Sequence, residues 1–360
     1  MSHGPVGIGI VGSGFMARVH HGCLTRNPHA SVLAVASPTP GHAAAFAERH
    51  AVPRAMTDYR ELLALPEVEL VFVTTPNATH APIAIDAARA GKHVVVEKPM
   101  CLSLVEADRM LAAARESGVK LMHAEEFCFA PKYVRAKQIV DEGGVGRVFR
   151  VKHSERYYGP TNPIYRQLDT SGGWCAMQLG SHSIGVIRWV LGKPRATAVT
   201  AHMGRYVHDG QGEDDSLIVI EFGEGVVAVA ENSWGKRGGM EDRLEILGTG
   251  GLIQADLYQE TGIRTYSEGG YGYSGPGAAP RQGWTHTVFE ELWGNGFPQE
   301  DEHFVACVRD DRPPQESGED GRAMLEILMA AYESARTGRK VSLPFASTAR
   351  RPIDHWLGTA

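Results

Sequence analysis

The first third of the chain alternates short apolar runs with segments in which apolar residues recur every three or four positions. Such runs are typical of buried strands, and the three-to-four spacing predicts amphipathic helices between them. Strands that alternate with helices indicate an α/β fold with a parallel, doubly wound sheet. The predicted strands cover 8–11, 31–37, 69–75, 93–97 and 119–124, and the predicted helices cover 43–50, 80–90 and 103–117, the last opened by a Ser103/Glu106 capping box.

The pattern changes after about residue 125, where the apolar strands become longer and follow one another directly. Their order, with a hairpin turn at Glu224 and Gly225, favours a C-terminal α+β domain with an open, mostly antiparallel sheet. We therefore expect two domains, residues 1–125 and 126–360. The predicted strands cover 147–158, 196–207, 216–222, 226–234, 243–247 and 252–258, and the predicted helices cover 131–142, 175–191 and 317–337.

Residues 268–283 are rich in Gly, Pro and Ser, which predicts a mobile loop. A loop of this kind serves either as a lid over a site or as an idle surface segment. The sequence leaves both alternatives open.

The composition excludes several classes of function. The 360 residues carry 42 acidic and 36 basic side chains, a net charge of −6, so no excess of basic residues favours nucleic-acid binding. No apolar run reaches the roughly 18 residues of a membrane span, and residues 1–5 do not resemble a signal peptide. The five cysteines form no C-x-x-C pair, which indicates reduced thiols. We expect a cytoplasmic protein without a metal and without nucleic-acid or membrane partners.

A glycine pattern follows the first predicted strand. Gly12-x-Gly14-x-x-Ala17 stands where that strand gives way to a helix. A tight glycine turn there lets a pyrophosphate approach the backbone, and the helix N-terminus attracts its negative charge. The pattern predicts dinucleotide binding by Gly12, Gly14, Phe15 and Met16; a purely structural glycine turn is the alternative.

The end of the second predicted strand bears on the choice of cofactor. NAD-binding domains of this type usually place an acidic residue there, where it contacts the ribose 2′-hydroxyl. This chain has Ser37-Pro38-Thr39, with no acid and no adjacent arginine. We expect Ser37 to face the ribose, and both NAD and NADP remain candidates.

Two further segments carry residues suited to catalysis. Lys98, in Glu97-Lys98-Pro99, ends a predicted parallel strand, and ligands of open α/β sheets bind at the carboxyl ends of strands. Gln178 and His182 lie four residues apart in a predicted helix, so they share one face, and a histidine can take a proton from a hydroxyl at neutral pH. A surface lysine and a packed helix histidine are the alternatives.

Taken together, the motifs resemble the Gfo/Idh/MocA oxidoreductases, which are sugar and inositol dehydrogenases and their relatives. The motifs are the glycine loop, Thr75-Pro76-Asn77-x-x-His80, Glu97-Lys98-Pro99 and Gly-Gly-x(4)-Gln-x-Gly-x-His. The resemblance implies a Rossmann domain followed by an open-sheet substrate domain that also serves oligomerisation. It implies that Lys98 and His182 are catalytic, that Glu97 lies beside the nicotinamide ribose, and that Thr75, Pro76, Asn77 and His80 lie along the cofactor.

This chain departs from the family pattern at two positions. Gln178 replaces the usual aspartate, and Gly185 replaces an acid three residues after the histidine. Gln178 cannot titrate and orients a hydroxyl only by hydrogen bonds. Glu125 or Glu126 is a candidate source of the missing charge near His182; the alternative is that both side chains are solvated. We also expect Glu125, Tyr157, Arg166 and Trp174, which flank the motifs, to contact substrate, as well as Tyr158.

The resemblance implies reversible hydride transfer between a nicotinamide and a secondary hydroxyl of a sugar, glycoside or polyol, by a homo-oligomer, either a dimer or a tetramer. The segments 124–131 and 180–184 look most like family members that oxidise glycosides at C3. Two other classes stay open. One is a glycosidase or lyase with an internal redox cycle on bound NAD, and the other is a non-catalytic dinucleotide sensor.

Overall fold

The computed structural model describes residues 4–160, 162–258, 264–267, 283–286 and 290–360. The loop predicted at 268–283 lies outside these residues, apart from its last glycine. The chain forms two compact units: Met1–Glu126 with Gly296–Ala323, and Phe127–Asn295 with Met324–Ala360. These units differ from the predicted ranges because 296–323 belongs to the first. The division into a cofactor domain and a substrate domain stays a prediction.

The strands of the described segments are, in chain order, β1 (Val6–Val11), β2 (Ala30–Ala36), β3 (Arg54–Met56), β4 (Leu70–Val73), β5 (His93–Val96), β6 (Leu121–His123), β7 (Val148–Arg156), β8 (Ala196–Gly204), β9 (Asp215–Phe222), β10 (Val227–Ser233), β11 (Glu241–Gly248), β12 (Gly251–Asp256), β13 (Arg264–Ser267), β14 (Gly283–His286) and β15 (Val341–Ser342).

The α-helices of the same segments are α1 (Phe15–Leu24), α2 (His42–His50), α3 (Tyr59–Leu63), α4 (His80–Arg89), α5 (Leu104–Ser117), α6 (Pro131–Asp141), α7 (Leu168–Ser171), α8 (Cys175–Gln178), α9 (Gly180–Val190), α10 (Glu291–Asn295), α11 (Phe297–Arg309), α12 (Gly318–Thr337) and α13 (Pro352–Leu357).

The first unit is built on a parallel sheet with the strand order β3-β2-β1-β4-β5-β6. All six residues of β1 are buried, which explains why this strand is a continuous hydrophobic run. The core of the unit includes Ile8, Phe72 and Val95 from three strands, together with Phe304 from α11. The predicted doubly wound parallel sheet is confirmed.

The second unit contains a seven-stranded sheet with the order β12-β11-β7-β10-β9-β8-β15. Its pairs are antiparallel except for β7 with β10, where Val227 stands opposite Arg150. Burial alternates along β9 and β10, and α9 packs against β7 and β10. A sheet covered on one face requires this period of two, so the predicted mostly antiparallel sheet is confirmed.

Two local predictions differ from the structure. The single helix predicted over 175–191 is two helices, α8 and α9, separated at Leu179. Only half of the predicted capping box forms: Ser103 Oγ accepts from the Glu106 N–H at 3.2 Å, whereas the Glu106 carboxylate accepts from the Leu102 N–H at 3.0 Å. The second bond still satisfies a backbone N–H, that of Leu102, next to the start of the helix.

Candidate active site

The glycine loop has different steric demands at its two main positions. Gly12 has φ +119°, and a Cβ there would lie 2.7 Å from the Thr74 carbonyl oxygen. Gly12 is therefore fixed both by its positive φ and by the close approach of Thr74, the residue after β4. At Gly14, in contrast, a Cβ would meet no atom within 4 Å. The fold itself leaves open space at this second glycine.

That open space lies at the N-terminus of α1. Gly14 is the N-cap of this ten-residue helix, makes no side-chain cap, and is followed by no acidic residue in the first turn. The first N–H groups of the helix therefore point to a position that suits an anion. These residues fit the pyrophosphate of a dinucleotide. The next two residues differ in exposure, since Phe15 is 46% exposed and Met16 is half-buried.

Ser37 lies directly after β2, as predicted. It is buried, and its hydroxyl oxygen accepts from the Ser13 hydroxyl at 3.1 Å. The two serines therefore connect the end of β2 to the glycine loop.

The segment after β4 is held by His80, the first residue of α4. Its Nε2 lies 2.7 Å from the Thr75 carbonyl oxygen, and its Nδ1 lies 3.0 Å from that of Pro99. Burial lowers the pKa of His80 although both carbonyls favour the charged form. His80 thus joins the Thr75-Pro76-Asn77 segment to the segment after β5. Pro76 is exposed and Asn77 is buried.

Glu97 and Lys98 follow β5 and differ in environment. Glu97 is buried, Lys98 is half-buried, and the Lys98 N–H donates to Glu97 Oε2 at 3.1 Å. Burial opposes ionisation of Glu97, but His20 outweighs it and holds the pKa of the carboxyl below its usual value. The charged side chain of Glu97 therefore fixes the backbone that carries Lys98.

His20 is a residue that the sequence-based reasoning missed. Its Nε2 lies 2.8 Å from Glu97 Oε1 and its Nδ1 lies 2.8 Å from Asp301 Oδ1. Burial lowers the pKa of His20, but Asp301 and Glu97 together outweigh this and raise it well above the usual value. His20 is therefore an imidazolium that donates to both carboxylates. Its place on α1 was visible in the sequence, but Asp301 lies 281 residues away.

The same group also contains Glu300, and the three side chains of His20, Glu300 and Asp301 offer ligand atoms within 4.8 Å of one another. Both ring nitrogens of His20 already face carboxylate oxygens. An imidazolium donates a hydrogen bond from each nitrogen, so this arrangement needs no metal ion. Burial, and next the nearby Glu126, raise the pKa of Glu300 well above its usual value. The expected absence of a metal stays a prediction.

Gln178 and His182 lie in the second unit, at a break between helices. Gln178 is the last residue of α8, and His182 lies in the first turn of α9; both are buried. The predicted single helix is therefore interrupted at Leu179, whose backbone is still right-handed helical, and the shared face of Gln178 and His182 stays a prediction. The His182 ring lies 4.6 Å, between centroids, from that of Phe127.

A buried polar chain adjoins His182 along α9. Ser183 Oγ accepts from Asn232 Nδ2 at 2.7 Å and lies 2.9 Å from His153 Nδ1. His153 Nε2 in turn lies 3.2 Å from Asp242 Oδ1, and Tyr133 donates its hydroxyl to the same oxygen. Sequence reasoning missed this chain because its members come from five separate elements.

Three of the predicted substrate residues lie together in the second unit. Arg166 lies over the Trp174 ring at 5.7 Å, its carbonyl accepts from Trp174 Nε1 at 3.1 Å, and its Nη2 donates to His208 Nδ1 at 2.9 Å. Tyr157 packs against the cluster that contains Trp174. Arg166 is exposed, whereas Trp174 is 2% exposed. Glu125 is fully buried in the first unit, just after β6.

The comparisons with known proteins agree with this geometry. Residues 6–125 match the model of the oxidoreductase family with an NAD-binding Rossmann fold, and residues 133–254 match the model of the GFO/IDH/MocA C-terminal domain. The chain belongs to the Gfo/Idh/MocA family of oxidoreductases. Its cofactor is therefore a nicotinamide dinucleotide, as predicted, and the reaction acts on CH–OH groups.

Individual relatives cover almost the whole chain. The crystal structure of GenD2 from gentamicin A biosynthesis, in complex with NAD, is 36% identical, covers 96% of this chain and 98% of that chain, and has a TM-score of 0.88. Myo-inositol 2-dehydrogenase of Thermotoga maritima is 27% identical over 93% of this chain and 98% of its own length. The scyllo-inositol 2-dehydrogenase (NAD(+)) of Bacillus subtilis is 28% identical over 93% and 95%.

Within the described residues, no helix is long and apolar enough to cross a membrane. All five cysteines lie in described segments, and none of them forms a disulfide.

Proposed function

We propose that this protein is an NAD(P)-dependent dehydrogenase that oxidises a secondary hydroxyl group of a glycoside, with C3 as the position oxidised. One observation carries the proposal. The adjacent parallel strands β1, β4 and β5 end in the glycine loop, the Thr75–Asn77 segment and Lys98, respectively. The carboxyl edge of such a sheet is where a dinucleotide binds, so Lys98 stands beside the predicted cofactor site.

The roles of the polar residues follow from their chemistry and from the family resemblance. A nicotinamide dinucleotide held by the glycine loop of the first unit would supply the hydride acceptor. His182 takes the proton of the substrate hydroxyl, and Lys98 stabilises negative charge on the substrate oxygen. Gln178 orients a neighbouring hydroxyl through its amide. We assign substrate contacts to Glu125, Tyr157, Arg166 and Trp174.

The substrate class is supported by the relatives. GenD2, with its origin in gentamicin A biosynthesis, is more similar to this chain than the inositol dehydrogenases are, at 36% identity against 27% and 28%. This difference favours a glycoside over a free cyclitol. The exposed Arg166, stacked on Trp174, suits the edge of a sugar site.

We also propose a homo-oligomer, a dimer or tetramer, in the cytoplasm. The second unit has a sheet face lined with charged side chains, where Arg156 pairs with Glu231 at 2.6 Å and also with Glu241. In a symmetric dimer this face would pack against the same face of a second copy. Because the face carries both positive and negative side chains, the two copies can place opposite charges against each other. The five cysteines without disulfides suit a reducing compartment.

The experiment is steady-state assay of the purified protein with NAD or NADP against methyl glycosides, free sugars, myo-inositol and scyllo-inositol. We expect reduced nicotinamide to accumulate with the glycosides, and native mass spectrometry to show bound dinucleotide and the subunit number. Release of aglycone without net reduction would instead indicate an internal redox cycle. The matched variant Lys98→Met should bind NAD but lose turnover by about 10²-fold or more. If every substrate stays unoxidised while NAD binds, the proposed function is wrong.

A further inference from the structure

The start of α8 is held by a residue from a distant part of the second unit. Glu213 Oε1 accepts from the Trp174 N–H at 3.0 Å and from the Ala176 N–H at 2.9 Å, and the Glu213 carbonyl oxygen accepts from the Cys175 N–H at 3.1 Å. The first N–H groups of a helix have no acceptor inside it. One residue thus satisfies three consecutive backbone donors at this helix start.

Tyr332, from α12, completes the arrangement. Its hydroxyl donates to the same Glu213 Oε1 at 2.7 Å, and both residues are fully buried. A Cβ at Gly173 would collide with the Tyr332 hydroxyl. The absence of a side chain at Gly173 therefore leaves room for the Tyr332 hydroxyl where it bonds Glu213. Gly172 serves a different purpose. It is the C-cap of α7 and has φ +79°, a left-handed conformation that glycine adopts readily.

Glu213 is an unusual acid for this position. Among the described residues, its Oε2 is buried and has no hydrogen-bond partner. Burial raises the pKa of Glu213 to about 7, although Tyr332 and the backbone N–H groups of Ala176 and Trp174 act in the opposite direction. A buried acid of this kind costs stability, so its presence calls for a role beyond filling space.

The segment that Glu213 holds is the one that carries Gln178 and His182. The Gln178 N–H donates to the Trp174 carbonyl at 2.9 Å, and the Leu179 N–H donates to that of Cys175 at 2.8 Å. The four residues of α8 are too few to be stable alone. Any shift of Trp174 and Cys175 is therefore passed directly to Gln178 and Leu179, and from Leu179 to α9.

We propose that Glu213, supported by Tyr332, is the positioning residue that sets the backbone of 174–179 and thereby places Gln178 and His182 for reaction. The inference rests on the proposed function for the roles of those two residues. It does not make Glu213 a catalytic residue, because Glu213 acts only through the backbone of α8.

The test compares Glu213→Ala, Glu213→Gln and Tyr332→Phe. Glutamine keeps a side-chain acceptor oxygen for the Trp174 and Ala176 N–H groups and the Tyr332 hydroxyl, so it should rescue what alanine loses. Ser334→Ala is the matched control: Ser334 lies on the same α12, is buried, and bonds the Ala201 N–H at 2.9 Å and the Arg339 carbonyl at 2.7 Å. It removes a comparable buried hydroxyl without touching α8.

The first measurement is hydrogen–deuterium exchange of the peptide covering 172–183, which needs no activity. We expect exchange to be about tenfold faster in Glu213→Ala, intermediate in Tyr332→Phe, and unchanged in Glu213→Gln and Ser334→Ala. Unchanged exchange in a folded Glu213→Ala protein would overturn the anchoring. This result stands whether or not the protein oxidises glycosides.

The second measurement is kinetic. In Glu213→Ala we expect kcat to fall at least about tenfold, because small displacements of reacting groups are costly, while the Kd for NAD stays within about twofold. Glu213→Gln should recover most of kcat. Equal losses of kcat in Glu213→Ala and Ser334→Ala would reduce Glu213 to a structural role. An inactive wild-type protein would refute the proposed function and leave the exchange result to decide the anchoring.

Discussion

His20 and Glu97 form a buried ion pair, with His20 Nε2 2.8 Å from Glu97 Oε1 and both side chains inside the first unit. Glu97 in turn accepts from the Lys98 N–H through its other oxygen. The glycine helix α1 and the lysine-bearing end of β5 are thus joined by one imidazolium. This pair connects the two segments on which the predicted dinucleotide site depends.

Removing this cation should destabilise the protein strongly. In His20→Phe, the buried carboxyls of Glu97 and Asp301 lose their common partner, and we expect a loss of about 3–5 kcal/mol in the free energy of unfolding. The control is His21→Phe, where the replaced ring packs against Phe46 and His50; we expect less than about 1.5 kcal/mol there. Urea unfolding measures both. Equal losses of unfolding free energy in the two variants would mean that the ion pair does not contribute to stability.

Substitutions at the two loop glycines should affect different properties, cofactor binding at Gly14 and stability at Gly12. Gly14→Val fills open space, so we expect a folded protein with at least tenfold weaker NAD binding, about 1.4 kcal/mol. Gly12→Ala should instead unfold at a lower temperature, because its φ is +119° and its Cβ would collide with Thr74. Fluorescence titration and thermal unfolding separate the outcomes. Unchanged affinity in folded Gly14→Val would remove that glycine from the site.

Discrimination between NAD and NADP should be modest. Ser37 replaces the usual acid, so no carboxylate at that position repels a 2′-phosphate. We expect the ratio of kcat/KM for the two cofactors to stay below about a thousandfold, roughly 4 kcal/mol. Ser37→Asp should increase the preference for NAD. If the wild-type ratio of kcat/KM exceeds that limit, a residue other than Ser37 discriminates between the ribose 2′-hydroxyl and the 2′-phosphate.

Gln178 should orient substrate without affecting proton transfer. Gln178→Ala should lower kcat with little change in the pH profile, whereas His182→Ala should cost about 10²–10⁴-fold. Gln178→Asp places a carboxylate near His182, which favours the imidazolium and raises the apparent pKa of the base. The acidic limb of kcat/KM should then move to higher pH. If His182→Ala keeps near wild-type turnover, His182 is not the base, and Glu125 and Glu126 are the next residues to test.

Glu213 should make the stability of the protein depend on pH. Burial raises its pKa in the folded state from 4.5 to about 7, so the folded state binds a proton that the unfolded state has released between these values. Stability is therefore fully present below about pH 4.5 and falls as pH rises through 7, by about 3 kcal/mol in all. Glu213→Gln should abolish this component. Parallel Tm-against-pH curves for wild type and variant would contradict it.

Much of the fold could be predicted because its signals are local. Alternating strands and helices, the two glycines of the first loop and the Lys98 strand end each depend on residues that are close in the chain. Periodicity also separated the parallel sheet from the mostly antiparallel one. The helix over 175–191 was predicted without its break, because Leu179 has no helix-breaking chemistry. The start of α8 is set by Glu213, which is distant in the chain and accepts from the Trp174 and Ala176 N–H groups.

The sequence by itself determined the class of fold, the family and the class of cofactor, and it supplied the candidates for the reactive side chains. Only the tertiary structure decided which groups hold them. Asp301 meets His20 across 281 residues, and Tyr332 meets Glu213 across 119. Neither histidine nor glutamate carries a local mark of such a partner, since burial and charge pairing arise from packing. The pKa values of these groups are therefore properties of the folded protein rather than of the sequence pattern.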